Sequence, residues 1–215
     1  AMLGVEGMPS WSECMCIEVW LSALDVWNGR IREIGSCCWA EGDHTDPTRI
    51  GSRAIILAGV AKGYAGSAAD HGHSNRNIGG SSGSFAMKED GTINTVLWHD
   101  FAERSLEQMA LATRAAVKTF YGKRHDYAYW DGYSTGGRQG YKLAQKYPHL
   151  YDGILAGAPA FNWTRFITNE LYPQIVMQQF FGAPLPTAKL NFVSTRSVAS
   201  CDALGLGFIL DPLQC

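Results

Sequence analysis

Ser134 lies in the Gly-x-Ser-x-Gly pattern of residues 132–136. Aromatic, strand-forming residues precede it at 127–133, and helix-forming residues follow it at 138–147. Between a strand and a helix this pattern forms a nucleophile elbow, a sharp turn that exposes the serine hydroxyl beside the N-terminus of the helix. The pattern therefore predicts a nucleophilic serine. The alternative is a turn of small residues that only connects the strand to the helix.

A serine nucleophile needs a histidine to take its proton and a carboxylate to orient that histidine. After Ser134 the sequence contains one histidine, His149, in a stretch typical of a helix end, and we expect it on the surface. His71 and His73, beside Asp70, are compatible with a metal site or with acid–base chemistry. We favour a structural role for this histidine pair, as hydrogen-bonding residues of a loop near the sheet edge.

The elements that must position Ser134 alternate between strands and helices. Strand-like runs occupy residues 16–21, 32–35, 54–59, 127–132 and 153–156, and helical patterns fill residues 100–120 and the segment after Ser134. This alternation predicts a mainly parallel sheet with helices on its faces. The longest apolar run, around residues 54–61, suits a buried strand. Residues 78–94 are rich in Gly and Ser and predict a loop, and the pattern becomes less regular from about Phe161.

Length and charge exclude several classes of protein. A chain of 215 residues can form one sizeable α/β domain, or one domain and part of another. The net charge of −2 and the absence of a Lys/Arg cluster predict no nucleic-acid partner. No apolar run approaches the roughly 20 residues that cross a bilayer, so we expect no membrane partner. The N-terminus lacks a signal-peptide pattern, and we expect such a peptide to be absent or removed.

Cysteine content indicates an oxidising compartment, and we expect a secreted or periplasmic protein. The six cysteines are Cys14, Cys16, Cys37, Cys38, Cys201 and Cys215. Cys201 and Cys215 would close a short loop and are the pair that we favour, although sequence alone leaves other pairings open. Neither of the two closely spaced N-terminal pairs has the spacing of a zinc site. A glycosylation sequon at 162–164 is compatible with secretion.

Several stretches resemble the tannase and feruloyl esterase family, most strongly from Tyr129 to Thr164. The stretches are Gly-Tyr-Ser-Thr-Gly-Gly-Arg-Gln-Gly (132–140), Ala-Gln-Lys-Tyr-Pro (144–148), Tyr-Asp-Gly-Ile-Leu-Ala-Gly-Ala-Pro-Ala (151–160), Glu-Val-Trp-Leu (18–21), Trp-Asn-Gly-Arg (27–30), Gly-Tyr-Ala (63–65), Asp-His-Gly-His (70–73) and Cys-Asp-Ala-Leu (201–204). Together they extend over most of the chain.

The resemblance implies an α/β-hydrolase fold with an inserted lid, so that residues 1–160 form the N-terminal part of the hydrolase domain and residues 161–215 the beginning of the lid. It implies ester hydrolysis through an acyl-enzyme on Ser134, with the oxyanion held by the N–H groups of Thr135 and Cys38. The expected substrates are small esters of aromatic acids, such as gallate and hydroxycinnamates, and no cofactor is required. We expect a missing C-terminal segment or a second chain to supply the histidine and the carboxylate.

Three positions depart from the family pattern. Tyr133 stands where many members have a cysteine that is linked to a cysteine beside the catalytic histidine. Cys37 and Cys38 stand where paired glycines are usual, although cysteine tolerates left-handed backbone angles poorly. The third departure is in the lid, where the calcium loop of the family is shortened. Asp202 and the carbonyls of Leu206 and Phe208 are candidate ligands for a structural calcium, and a disulfide-closed loop without metal is the alternative.

The sequence thus predicts a serine carboxylesterase that acts on aromatic esters. Two other functions remain open. One is a catalytically inactive hydrolase-like module that binds aromatic ligands or a partner, and the other is an acyltransferase that uses the same acyl-enzyme.

Overall fold

The computed structural model describes residues 15–39, 42–44, 46–73 and 83–215. Cys14 and part of the predicted loop at 78–94 lie outside the described residues. The chain divides into two compact units, Ala1–Phe161 and Asn162–Cys215. The candidate nucleophile belongs to the first unit.

The first unit is built on a five-stranded sheet in the order β1-β3-β2-β4-β5. Its strands are β1 (Ile17–Trp20), β2 (Arg30–Ile34), β3 (Ala65–Ala69), β4 (Tyr127–Tyr133) and β5 (Gly153–Gly157). β1 pairs with β3 in the antiparallel direction, and every other pairing is parallel. The parallel strands β2 and β4 are neighbours, so the segments that follow their carboxyl ends meet at one edge of the sheet. The prediction of a mainly parallel sheet with flanking helices is confirmed.

The helices of this unit are α1 (Arg53–Val60), α2 (Thr95–His99), α3 (Ser105–Tyr121) and α4 (Thr135–Lys146), with a π-helix at Asp100–Arg104 and 3₁₀ turns at Pro47–Arg49, Ser84–Ala86 and Pro148–Leu150. α3 ends at Gly122, which adopts a left-handed conformation with φ of 71°. α4 buries Gly136, Gly137 and Gly140 together with Leu143, and its residues Gln145 and Lys146 are exposed. The core consists of fully buried side chains from the sheet and from α3 and α4: Ile31, Trp130, Leu106, Met109 and Leu143.

The strand predicted at residues 54–59 is wrong, because these residues form α1. Ile56 is fully buried whereas its neighbour Ile55 is 47% exposed, a difference that a helix against one face of a sheet produces. An apolar run of this length fits a buried strand and a buried helix equally well. The strand in this part of the chain is instead β3, which follows α1. The sequence does not reveal it, because alanine and glycine are uncommon in strands.

The second unit is more regular than the sequence predicts. It contains α5 (Trp163–Phe181) and α6 (Thr187–Cys201), followed by a 3₁₀ turn at Pro212–Gln214. Pro173 lies inside α5, which explains why the sequence pattern there is weak as a helix signal. That this unit is the beginning of a lid stays a prediction.

Candidate active site

Ser134 occupies the turn between β4 and α4 with φ of 58° and ψ of −115°. A serine rarely adopts a positive φ, so the conformation is strained and the surrounding groups must hold it. The Ser134 N–H donates to the Gly157 carbonyl at 3.1 Å, and its own carbonyl accepts from the N–H groups of Arg138 at 3.0 Å and Ala160 at 3.2 Å. The residue is half-buried. The geometry is that of a nucleophile elbow.

Gly132 has to be a glycine, because a Cβ atom built there would lie 2.2 Å from the Gly136 carbonyl oxygen and 2.7 Å from the Trp130 Nε1. The Trp130 Nε1–H donates to that same carbonyl at 3.0 Å. A tight turn at Ser134 therefore requires the first turn of α4 to press on the last residues of β4. This contact explains the first glycine of the Gly-x-Ser-x-Gly pattern.

The segment after β2, residues 35–39 (the β2 loop), lies against the first turn of α4. A Cβ atom on Gly35 would lie 2.6 Å from the Gly136 Cα, so the two backbones are in close contact. The Thr135 hydroxyl donates to the Cys38 carbonyl at 2.7 Å. Thr135 and Cys38, the two residues predicted to bind the oxyanion, are thus brought together beside Ser134.

Cys38 adopts φ of 55°, the left-handed conformation for which glycine is the usual residue. Cys38 therefore has a backbone conformation that is unfavourable for cysteine, and this strain lowers the stability of the fold. The hydrogen bond from Thr135 is one of the contacts that hold the strained residue. The role of either residue in binding an oxyanion stays a prediction.

A buried polar network lies beneath the elbow and was not predicted from the sequence. The Gln139 Oε1 accepts the Ser36 N–H at 3.0 Å, and the Gln139 amide nitrogen donates to the Ser36 hydroxyl at 2.8 Å. The same nitrogen lies 3.2 Å from the His71 Nε2, and the His71 Nδ1 lies 2.7 Å from the Ser105 hydroxyl. Because the amide nitrogen is a donor, His71 Nε2 is the acceptor and the proton resides on Nδ1. Burial also lowers the pKa of His71 well below its usual range, so His71 is neutral.

This network joins the β2 loop, α4 and the end of β3 in a single set of buried hydrogen bonds. Gln139 is fully buried, as are His71 and Ser105. The sequence signal that could have revealed Gln139 is its place on α4: it follows Thr135 by four residues, so it shares the face that packs on the sheet. A glutamine on such a face needs partners, and the β2 loop provides them.

A second group of contacts ties α4 to the π-helix. Arg138 donates to the carbonyls of Phe101 at 3.2 Å and Ala102 at 3.4 Å, and its guanidinium lies 4.8 Å from the centre of the Phe101 ring. Burial lowers the pKa of Arg138 to about 10, which leaves it charged at neutral pH. The π-helix leaves backbone carbonyls that do not follow the α-helical pattern, and Arg138 binds two carbonyls of this segment.

His71 and His73 form structural contacts within the first unit. His71 belongs to the network under the elbow, and His73 stacks on Phe85 with ring centroids 3.7 Å apart and hydrogen-bonds the Trp39 carbonyl. Burial lowers the pKa of His73 as well. His149 lies exposed in a 3₁₀ turn. Among residues 15–39, 42–44, 46–73 and 83–215, no histidine hydrogen-bonds the Ser134 hydroxyl.

In the second unit a disulfide joins Cys201 to Cys215. Between them, the two oxygens of Asp202 accept the N–H groups of Leu206 at 2.8 Å and Gly207 at 2.6 Å, which lowers the pKa of Asp202. Calcium requires roughly six to eight oxygen ligands, and one carboxylate that already accepts two N–H groups does not provide them. Within the described part of the chain no cluster of three or more His, Cys, Asp or Glu side chains could hold a metal. The predicted ligands Asp202, Leu206 and Phe208 therefore do not by themselves complete a calcium site, and the predicted calcium is otherwise untested.

The sheet, its flanking helices and the elbow define a protein of the α/β-hydrolase type. The family model described as "Tannase and feruloyl esterase" matches residues 12–215, so the chain belongs to that family. The family resemblance drawn from the sequence is confirmed.

Individual relatives agree with this assignment. A probable feruloyl esterase of Arthroderma benhamiae is 40% identical over 190 residues, which cover 87% of this chain and 33% of the relative. A mono(2-hydroxyethyl) terephthalate hydrolase of Piscinibacter sakaiensis is 32% identical over 194 residues, which cover 83% of this chain and 31% of the relative. The crystal structure of feruloyl esterase B from Aspergillus oryzae superposes with a TM-score of 0.70 at 26% identity, and covers 96% of this chain and 38% of its own. The chain thus spans about a third of the length of these proteins.

No helix in the described residues is long and apolar enough to cross a membrane.

Proposed function

We propose that the protein is a serine carboxylesterase that hydrolyses small esters of aromatic acids through an acyl-enzyme on Ser134. The observation that carries the proposal is the strained backbone of Ser134, held at φ of 58° between β4 and α4. Strain of this kind persists where the surrounding contacts enforce it, and at a strand-to-helix turn it exposes a nucleophile. Membership of a family whose named relatives are esterases supports the same reaction.

In the proposed reaction the Ser134 oxygen attacks the ester carbonyl carbon, and the carbonyl oxygen becomes negative. The N–H groups of Thr135 and Cys38 stabilise this charge, helped by the N-terminus of the twelve-residue helix α4. The alcohol leaves, and water then releases the acid from the serine. A C-terminal segment or a second chain supplies a histidine and a carboxylate. The histidine takes and returns the proton, and the carboxylate orients the histidine.

We propose an aromatic acid because the relatives include a probable feruloyl esterase and a terephthalate ester hydrolase. We further propose a secreted or periplasmic location and no required cofactor. The test of the nucleophile is covalent labelling with a fluorophosphonate, followed by peptide mapping, with Ser134→Ala as the matched control. Labelling at Ser134 that is lost in the control supports an activated nucleophile. Complete absence of labelling in a longer protein that contains this chain would favour the inactive binding module instead.

The acyltransferase alternative predicts a different product. An alcohol acceptor added together with an aromatic ester substrate would then take the acyl group from Ser134 and yield a new ester faster than the free acid. The esterase proposal requires the free acid to dominate. A comparison of an aromatic ester with an aliphatic ester of the same alcohol tests the substrate class.

A further inference from the structure

Asn162 begins the only Asn-x-Ser/Thr sequence in the chain, Asn162-Trp163-Thr164. Such a sequence is an acceptor for N-linked glycosylation, which attaches a bulky, hydrophilic oligosaccharide to the asparagine side chain. The proposed ester hydrolysis does not use it. Since a folded protein must leave room for the glycan, the position of Asn162 decides whether the sequence can be modified.

Asn162 lies on the surface, immediately before α5. Asn162 and Thr164, the two residues that the acceptor sequence specifies, are both exposed. Asn162 adopts φ of 49° and ψ of 51°, a left-handed conformation in which asparagine is found more often than most residues that have a side chain. A glycan on this side chain would therefore extend from the surface without displacing the core.

The helix does not engage the Asn162 side chain. An asparagine that precedes a helix usually has an extended backbone, and its side-chain oxygen accepts an N–H group of the first turn. Asn94 does so before α2, where its side-chain oxygen accepts the Leu97 N–H at 3.3 Å. Asn162 has the left-handed backbone instead and makes no such bond with α5. Modification of its amide therefore costs α5 no capping hydrogen bond.

Exposed aromatic residues flank Asn162 in the sequence. Phe161 is 52% exposed and Phe166 is 38% exposed. The Phe166 N–H donates to the Asn162 carbonyl at 2.9 Å, and the Phe166 ring lies 6.1 Å from the Trp163 ring. Exposed apolar groups of this kind favour association between molecules, and a hydrophilic glycan attached among them would oppose it.

We propose that Asn162 is an N-glycosylation site, and that its glycan covers the exposed aromatic residues around it. The donor is a lipid-linked oligosaccharide. The Asn162 amide nitrogen forms a C–N bond to the first sugar, the bond between that sugar and the lipid diphosphate breaks, and the proton lost by the amide leaves with the released diphosphate. Because the donor is met only in a secretory pathway, the modification rests on the proposed secreted location.

The first measurement is the mass of one peptide and is independent of catalysis. The leader of a eukaryotic secretory host directs the protein into the pathway, so the protein need not supply its own export signal. Trypsin then releases a peptide of residues 147–165 that contains Asn162 and no other asparagine. After treatment with endoglycosidase H, this peptide should carry one N-acetylglucosamine. A peptide in which Asn162 is unmodified would overturn the proposal.

Thr164→Ala and Thr164→Ser form a matched pair of variants. Both change the same exposed side chain, but only serine keeps the hydroxyl that the acceptor sequence requires. The glycopeptide should be lost altogether from Thr164→Ala and retained in Thr164→Ser. Asn162→Gln should lose it as well, and replaces Thr164→Ala if that variant is not secreted. A sugar that remains on the peptide of Thr164→Ala would contradict attachment through this sequence.

The second measurement addresses the covering of the aromatic residues. Light scattering at increasing protein concentration should show association of Thr164→Ala at a lower concentration than of glycosylated Thr164→Ser. Addition of Phe166→Gln to both variants should reduce that difference. Equal association of the two variants would refute the covering. If the protein with its natural leader stays inside the cell while the form with the host leader is glycosylated, the proposed location fails and the glycosylation site stands.

Discussion

Gly132→Ala should disrupt the elbow, because it places a methyl group where the first turn of α4 already lies. The added Cβ would be 2.2 Å from the Gly136 carbonyl oxygen and 2.4 Å from the carbonyl carbon, both of them backbone atoms that cannot rotate away. It would also lie 2.7 Å from Trp130 Nε1, whose hydrogen bond to the same carbonyl would break. Overpacking costs about 1–3 kcal/mol. An unpaired buried N–H adds about 1–3 kcal/mol. We expect a loss of about 4 kcal/mol of unfolding free energy.

Urea denaturation followed by tryptophan fluorescence measures the loss, and fluorophosphonate labelling reports the nucleophile. Gly59→Ala is the matched control, since a Cβ there meets its nearest neighbour at 3.5 Å within α1, an ordinary contact. Alanine is favoured over glycine in a helix by about 1 kcal/mol, so the control should be as stable as the wild type or more so. If Gly132→Ala unfolds within about 0.5 kcal/mol of the wild type and is labelled at the wild-type rate, the contact does not shape the elbow.

Three further predictions concern the scaffold. Gln139→Leu leaves the Ser36 N–H and the His71 Nε2 without their partner. Urea denaturation should therefore show a loss of about 3 kcal/mol of unfolding free energy, and the fluorophosphonate should label Ser134 more slowly. An unchanged labelling rate would show that the network does not position the β2 loop. Burial raises the pKa of Glu33 from 4.5 to about 6, so the stabilising contribution of its protonated form is complete below pH 4.5 and is lost as the pH rises through about 6. Relative to Glu33→Gln, the wild type should therefore lose on the order of 2 kcal/mol of unfolding free energy over that pH interval, as measured by urea denaturation. If the unfolding free energies of the two proteins change with pH in the same way, the raised pKa of Glu33 is contradicted. Cys201→Ser should destabilise the second unit by about 3 kcal/mol, the value for a loop of this size, which limited proteolysis at increasing temperature would detect as earlier cleavage.

The elbow could be predicted because three independent signals agree there. The aromatic run before Ser134 forms β4, the Gly-x-Ser-x-Gly spacing supplies the tight turn, and the residues after it form α4. Each signal is local, so neighbouring residues are sufficient to reveal it. The strand β3 gave no such signal: all five of its residues are buried, but they are alanine, glycine and serine. Only the packing of its neighbours makes this segment a strand.

The hydrogen bonds that hold the site together could not be predicted for a related reason, since they join residues that are distant in sequence. Gln139 and Ser36 are 103 residues apart, and Gln139 and His71 are 68 apart. The sequence favours a structural role for His71 but names no partner, and the structure shows that its partners are Gln139 and Ser105. The sequence likewise predicts one helix over residues 100–120 and gives no sign of the π-helix at Asp100–Arg104, because a π-helical turn has no periodic sequence signature.

The strain at Ser134 and the strain at Cys38 belong to one arrangement. Two non-glycine residues in left-handed or neighbouring regions of backbone space cost about 1–3 kcal/mol each, and they lie on the two segments that meet at the same edge of the sheet. The hydrogen bond from Thr135 to Cys38 joins those two segments, and so do the bonds between Gln139 and Ser36. The proposed nucleophile and the two proposed oxyanion donors thus lie on segments that these hydrogen bonds hold together, and fixed donors of this kind are what electrostatic stabilisation of a tetrahedral intermediate requires.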